Sequence, residues 1–193
     1  MATFIDLNNT KAEKISFDKP GEYIAFMHNT SCDFTFSIES EDVDLAIYGL
    51  YTGNRGDAYQ IFTNQHHISP NSKSRLHIKG VFGDDSKFVY KGLIRIEKGA
   101  HGTDAYQKNQ NLKLGSGAFV ESDPCLEILE PDVKCGHGST TGNVSADQLL
   151  YLKSRGIIEE EARKLLVMGF LDEIVDMIRM KIPEFNLDLK LKS

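Results

Sequence analysis

The sequence predicts a mainly β fold closed by a short α-helical segment, and three observations carry that prediction. Polar and apolar residues alternate with period two through Asp33-Phe34-Thr35-Phe36-Ser37-Ile38. Such alternation sends one set of side chains into a core and the other towards water. Short apolar runs then recur at close spacing down to Leu129, punctuated by Gly, Asn, Asp, Ser and Pro. No apolar stripe of helical period lasts three turns before about residue 143.

Taken in order, Asp44-Leu45-Ala46-Ile47-Tyr48 repeats the alternation less cleanly. Further runs follow at Tyr59 to Phe62, Leu76 to Phe82, Lys87 to Tyr90, Leu93 to Ile96, Ala118 to Val120 and Leu126 to Leu129. Gly83-Asp84-Asp85, Gly99, Gly115-Ser116-Gly117, Ser122-Asp123-Pro124 and Pro131-Asp132 supply the turns between them. Many short strands mean a sandwich, a barrel or a solenoid. From Leu76 onward the strands are short and the corners frequent, which suits a parallel β-helix, although no repeat of fixed length is present.

The texture changes at Asn143, dividing a β core (1–143) from a C-terminal helical segment (144–193). Ser145 and Gln148 have capping-box spacing, Leu149, Leu150 and Leu152 follow, and Gly156 is placed to end a first helix. Glu159-Glu160-Glu161 put negative charge on the first turn of a second helix, where the macrodipole favours it. Ala162, Leu165, Leu166, Gly169, Phe170, Ile174, Val175 and Ile178 form its expected apolar stripe, and Pro183 stops it. Val167, Met168, Leu171 and Met177 are apolar beyond that stripe, a surplus that is either buried within the chain's own helical pair or points to a second apolar contact such as another protein. The tail from Asn186 to Ser193 is expected to be loosely held.

Composition excludes several classes. The chain has 193 residues, 40% hydrophobic and 26% charged, the balance of a globular protein long enough to fold without disulfides or metals. Its densest apolar stretch, Leu165 to Leu171, is far short of the roughly 20 residues a membrane helix needs. The net charge of −6 disfavours nucleic acid as a partner. Cys32, Cys125 and Cys135 are too few and too scattered for a disulfide framework, and the N-terminus shows no signal-peptide pattern. These readings predict a cytoplasmic protein.

The sharpest chemical cluster is Lys134-Cys135-Gly136-His137-Gly138. In an extended chain Cys135 and His137 project on the same face. A thiolate beside an imidazole can bind a soft or borderline metal, carry sulfur, or act as nucleophile and base. A tetrahedral metal wants four ligands and this pair offers two, so the others would come from another chain at an interface. Cys125 lies ten residues upstream, but Pro124 and Leu126 suggest that it sits in a packed strand. The Gly136 to Gly142 stretch lacks the Lys of a nucleotide-binding loop, so no nucleotide is expected on this chain. His66 and His67 are adjacent and face opposite ways in a strand, with His67 packing or bonding at a turn. His77 faces solvent or a coil neighbour, and His28 and His101 are isolated. No pair of carboxylates stands out.

Ordered motifs then resemble a known family. These are Thr103-Asp104-Ala105-Tyr106-Gln107-Lys108-Asn109-Gln110-Asn111-Leu112, Cys125-Leu126-Glu127-Ile128, Asp132 to Gly142, and Gln148-Leu149-Leu150-Tyr151-Leu152-Lys153-Ser154-Arg155-Gly156-Ile157. Together they are similar to the C-terminal core of the SufB/SufD proteins, with His67-Ile68-Ser69-Pro70 and Lys91-Gly92-Leu93-Ile94 resembling earlier coils. The resemblance covers about residues 60 to 179. It implies a right-handed parallel β-helix followed by a helical segment. It also implies a place in the machinery that assembles iron–sulfur clusters, where SufB and SufD pair through their β-helices and each helical segment docks a SufC ATPase. The Lys134 to Gly138 string is SufD-like; SufB-like chains have Glu-His-Glu there, and a functional cysteine where this chain has Asn109. His137 matches the SufD histidine implicated at the shared assembly site, and Cys135 its neighbouring cysteine. Family members are usually about twice as long and carry an N-terminal helical region, so this chain is expected to be a minimal homologue or a fragment.

The leading expectation is therefore a non-enzymatic SufD-like scaffold. Cys135 and His137 serve a transient iron–sulfur cluster at a subunit interface, and Leu166, Phe170 and Ile174 help to dock a SufC-like ATPase. The pairing partner is a SufB-like chain or a second copy; a two-fold homodimer would present four potential ligands. The competing expectation is a polysaccharide-binding or polysaccharide-cleaving solenoid, which would need an exposed aromatic face and a carboxylate set. Tyr48, Tyr51 and Tyr59 could contribute, but the chain has no Trp.

Overall fold

A computed structural model describes residues 2–10, 12–187 and 189. Eleven strands run in chain order: β1 (Thr3–Asp6), β2 (Lys14–Phe17), β3 (Gly21–His28), β4 (Cys32–Ile38), β5 (Val43–Gly53), β6 (Ala58–His67), β7 (Lys73–Phe82), β8 (Lys87–Ile96), β9 (Asp104–Lys113), β10 (Phe119–Ile128) and β11 (Lys134–Asn143). A 3-10 turn (Leu7–Asn9) follows β1, and two helices, α1 (Ala146–Ser154) and α2 (Glu159–Arg179), follow the strands. Odd strands form one sheet in the order β1-β3-β5-β7-β9-β11, and even strands another in the order β10-β8-β6-β4-β2. Every pairing is parallel. Successive strands thus alternate between two facing sheets, and the chain is a parallel β-solenoid. Of the three β architectures open to the sequence, only this one pairs each strand with the next but one.

In-register parallel pairing stacks like positions on one another, so inward residues form ladders along the axis. The N-terminal half of the interior is apolar: Phe17, Phe34, Phe36, Leu45, Ile47, Tyr51, Ile78, Phe82 and Phe88 belong to one buried cluster. Outward residues of the odd sheet form a second cluster, in which Ile24, Phe26, Leu50 and Val81 receive α2. Each fully buried aliphatic side chain there contributes about 1.5–3 kcal/mol, which is what holds the helix to the body.

Some strands extend beyond the expected runs. Lys87–Tyr90 and Leu93–Ile96 are halves of the single strand β8, continuous through Lys91-Gly92. Ser122-Asp123-Pro124, read as a turn, lies inside β10. Proline is tolerated there because β10 is an edge strand.

The helical signals behave as their chemistry requires. Ser145 Oγ accepts from the Gln148 amide, and Gly156 closes the α1 turn at φ +86°. The stripe of α2 is rotated from the expected one. Ala162, Val167, Leu171, Ile174, Val175 and Ile178 are buried, whereas Leu165 and Gly169 are exposed and Leu166 and Phe170 half-buried. Val167 and Leu171 therefore belong to the body-facing side and are not surplus. Ile174, expected in a docking face, is wholly buried against the sheet. Lys79, an outward residue of β7 only 2% exposed, lies beneath the helix. Its ammonium donates to the Phe170 carbonyl (2.8 Å) and to Glu173, and lies 4.2 Å from the Phe170 ring centroid. Of the tail, Leu187 and Leu189 pack partly buried against the α2 cluster, contrary to a loosely held end; Asp188 and residues 190–193 lie outside the described residues.

Candidate functional site

The two ends of the solenoid differ. At the N-terminal end the interior is plugged: Leu7 and Phe17 are 1% and 2% exposed. At the other end β10 and β11 are the outermost strands of their sheets. Leu126 and Ile128 stack on the buried, inward Ile94 and Ile96 of β8, yet remain 37% and 43% exposed. Their open face is the solenoid's own interior, uncovered because no further coil stacks on it among the described residues. The two edge strands also leave main-chain donors and acceptors directed along the axis, a ready template for another chain.

Cys135 and His137 sit on that last coil. In β11 they pair in register with Ala105 and Gln107 of β9, whose side chains are buried and inward, so both point into the open interior. Cys135 is half-buried against the cluster of Ile94, Ile96, Ala100 and Ala105; His137 is exposed. Burial raises the Cys135 thiol above its ordinary pKa, the Gly136 amide opposes this, and Asp104 adds to it. A thiol so placed is protonated near neutrality and loses its proton when a metal binds. The outward positions of β11 that flank His137, Gly136 and Gly138, are small for a reason: the Tyr106 ring of β9 lies across both.

Cys125 does not join this pair. It is exposed on the outward face of β10, its Sγ 3.8 Å from Asp123 Oδ1. Among the described residues no group of three or more His, Cys, Asp or Glu is placed to hold a metal ion. Cys135 and His137 thus present one soft and one borderline donor on a shared face, fewer than the four a tetrahedral metal takes.

Directly inside the site runs a polar brace that sequence reasoning missed. Gln107 crosses the interior: its Nε2 donates to the carbonyls of Gly92 (3.3 Å) and Cys125 (3.1 Å), and its Oε1 accepts from Tyr90 Oη (3.0 Å). Tyr90 Oη also bonds Thr63 Oγ1 at 3.2 Å. The brace ties β9, and with it the β11 register, to the edge strand of the opposite sheet. Gln107, Asn109 and Asn111 at period two could have been read as one strand face, but their polarity argued against burial.

Three other histidines make bonds within the solenoid. His67 is fully buried, with Nδ1 on Ser72 Oγ (2.9 Å) and Nε2 on Ser74 Oγ (2.8 Å). His77 bonds its coil neighbour Gln110 at 2.9 Å, and His66 pairs with Glu97 on the opposite face from His67. No helix is long and apolar enough to cross a membrane among the described residues.

Known proteins match this chain over the same coils. A family model described as "SUF system FeS cluster assembly, SufBD core domain" matches residues 25–170. The iron–sulfur cluster assembly protein SufD of Escherichia coli is 33% identical over 152 residues, covering 79% of this chain and 35% of the relative. A SufBD-family iron–sulfur cluster assembly protein of Mycobacterium leprae is 40% identical over 143 residues, covering 70% and 36%. One from Mycobacterium tuberculosis is 38% identical over 149 residues, covering 73% and 37%. The chain spans little more than a third of these relatives' length. With its SufBD core matched across more than half of its residues, the chain belongs to the SufB/SufD family of the SUF system.

Proposed function

We propose that this chain is a non-enzymatic scaffold subunit for iron–sulfur cluster assembly. It pairs through the open end of its solenoid (1–143), and its helical segment (144–193) docks a SufC-like ATPase in the cytoplasm. The observation that carries the reading is the terminal coil itself: Cys135 and His137 face an interior that no further coil covers among the described residues and that a second chain could close. The partner is a SufB-like chain, or a second copy in a homodimer. His137 supplies an imidazole and Cys135 a thiolate to a cluster held transiently as cargo between the subunits. Asn109 occupies the place of the SufB-like cysteine and is 1% exposed, so this chain offers no sulfur-accepting thiol there. Nucleotide turnover belongs to the ATPase.

Anaerobic reconstitution with ferrous iron and sulfide, in the presence of a SufB-like partner, tests this reading. Charge-transfer absorption should form with the parent and fall several-fold with His137→Ala and with Cys135→Ser, while pairing persists in sedimentation. Equal absorption from parent and variants would remove both residues from the site.

The ATPase surface is α1 with the start of α2. No residue of α1 is buried, and Leu150, Tyr151, Ile158 and Leu165 are all more than half exposed. A helix that packs only partly, through the half-buried Leu149 and Leu152, and exposes its other apolar residues is suited to a partner. Leu150→Asp and Tyr151→Asp should abolish ATPase capture with thermal stability within about 0.5 kcal/mol of the parent. Capture by folded variants would exclude α1. The polysaccharide reading is not favoured: Tyr51 is wholly buried, and Tyr48 and Tyr59 are partly buried.

A further inference from the structure

The interior ladder turns polar towards the open end. Asn109 and Asn111 are successive inward residues of β9, 1% and 2% exposed. Asn111 Nδ2 donates to Asn109 Oδ1 at 2.6 Å. That bond leaves Asn109 Nδ2 without an acceptor and Asn111 Oδ1 without a donor. Reversing both amides only exchanges one unpaired donor and acceptor for another. From the opposite sheet Ser122 Oγ is equally buried and unpartnered. The chain reverses between β9 and β10, and Gln107 reaches the Cys125 carbonyl. Counting back from Cys125 therefore sets Ser122 across the interior from the two asparagines. On β11, Ser139 and Thr141 are the register partners of Asn109 and Asn111 and extend the polar lining to the open coil.

Asn109, Asn111, Ser122, Ser139 and Thr141 include no carboxylate and no Lys or Arg, so these five side chains do not by themselves make an ion site. The asparagine N–H opposes a bare cation, and the neighbouring amide oxygen opposes an anion. What satisfies a free donor, a free acceptor and a hydroxyl together is a small neutral molecule able to do both. We propose that Asn109, Asn111 and Ser122 bind a cluster of ordered water molecules inside the last coils, continuous with the hydroxyls of Ser139 and Thr141. The chamber that this chain contributes beyond its brace is then a hydrated one, and a partner closing over the terminal coil encloses those waters beside Cys135 and His137.

Water-to-protein Overhauser spectroscopy on the isotopically labelled full chain tests this. Long-lived water cross-peaks are expected at the Asn109 side-chain amide and at the backbone amide of Ser122. In Asn109→Leu/Asn111→Leu the cross-peak at Ser122 should vanish, and the urea midpoint should equal or exceed that of the parent, because the unpaired groups leave together with their water. Absence of water cross-peaks at Asn109 in the parent overturns the proposal, as does persistence at Ser122 in the double variant. If the double variant fails to fold, the parent measurement decides, with Asn111→Ala as the second variant: retained cross-peaks in the enlarged site support a water cluster, and their loss overturns it.

Discussion

Gly92→Ala probes the brace beneath the terminal coil. A Cβ at Gly92 would lie 2.7 Å from Tyr90 Cζ and nearer still to Tyr90 Oη and Gln107 Oε1, where real Cβ atoms essentially never come under 3.0 Å. The Tyr90 ring is 1% exposed and cannot retreat through its neighbours. Gln107 can move only by surrendering its bonds to Tyr90, Gly92 and Cys125. Overpacking costs roughly 1–3 kcal/mol, and leaving a buried amide unpaired costs roughly 1–3 kcal/mol. Relieving one strain incurs the other, so the expected loss is about 2–4 kcal/mol and not the full sum. For a chain of this length that lowers Tm by about 5–15 °C. Urea unfolding followed by circular dichroism at constant m is the assay. Tyr90→Phe removes Oη, so Gly92→Ala should cost at least about 1 kcal/mol less in that background. A Gly92→Ala protein within about 0.5 kcal/mol of the parent, or strict additivity with Tyr90→Phe, would refute the reasoning.

Two further outcomes follow from buried charge. Burial, aided by the charges of His66 and Arg75, lowers the His67 pKa to about 4. The unfolded chain binds a proton near pH 6.5, so stability is full above that value and falls as pH drops towards 4, by about 3 kcal/mol in all. Urea midpoints between pH 7.5 and 4.5 should show this slope, and His67→Gln should flatten it. For the Lys79 clasp, Lys79→Met should stay close to the parent, because an apolar isostere replaces a buried charge. Glu173→Leu should cost about 1–2 kcal/mol, less than a fully buried pair would, since Glu173 is 45% exposed. The hydrogen bond from Lys79 holds the Glu173 carboxyl below its ordinary pKa. Its contribution is therefore present above about pH 4.5 and lost as pH falls through the lowered value, which differential acid titration of parent and Glu173→Gln would reveal.

Local chemistry was legible where a residue acts within one turn or one strand. Ser145 and Gly156 delimit α1 as their cap geometries require, and the texture change at Asn143 coincides with the end of β11. The same-face placement of Cys135 and His137 follows from strand pleating alone. Polar strands were the failure. β9 carries Gln107, Asn109 and Asn111 inward, so hydrophobic periodicity could not reveal it. In β10, Pro124 mimicked a turn because a sequence does not show that its strand lies at an edge.

Alternation, capping signals and a Cys-x-His pair are properties of neighbours along the chain, and the sequence by itself determined the apolar strands, the helices and the face those two donors share. The stacking of coils is a property of residues some thirty apart, and only the tertiary structure decided it. Stacking plugs one end with Leu7 and Phe17, leaves the other end open around Cys135 and His137, and buries a lysine beneath α2, whose buried face differs from its expected stripe. Burial at any position depends on what stacks above and below it, and no local pattern contains that information.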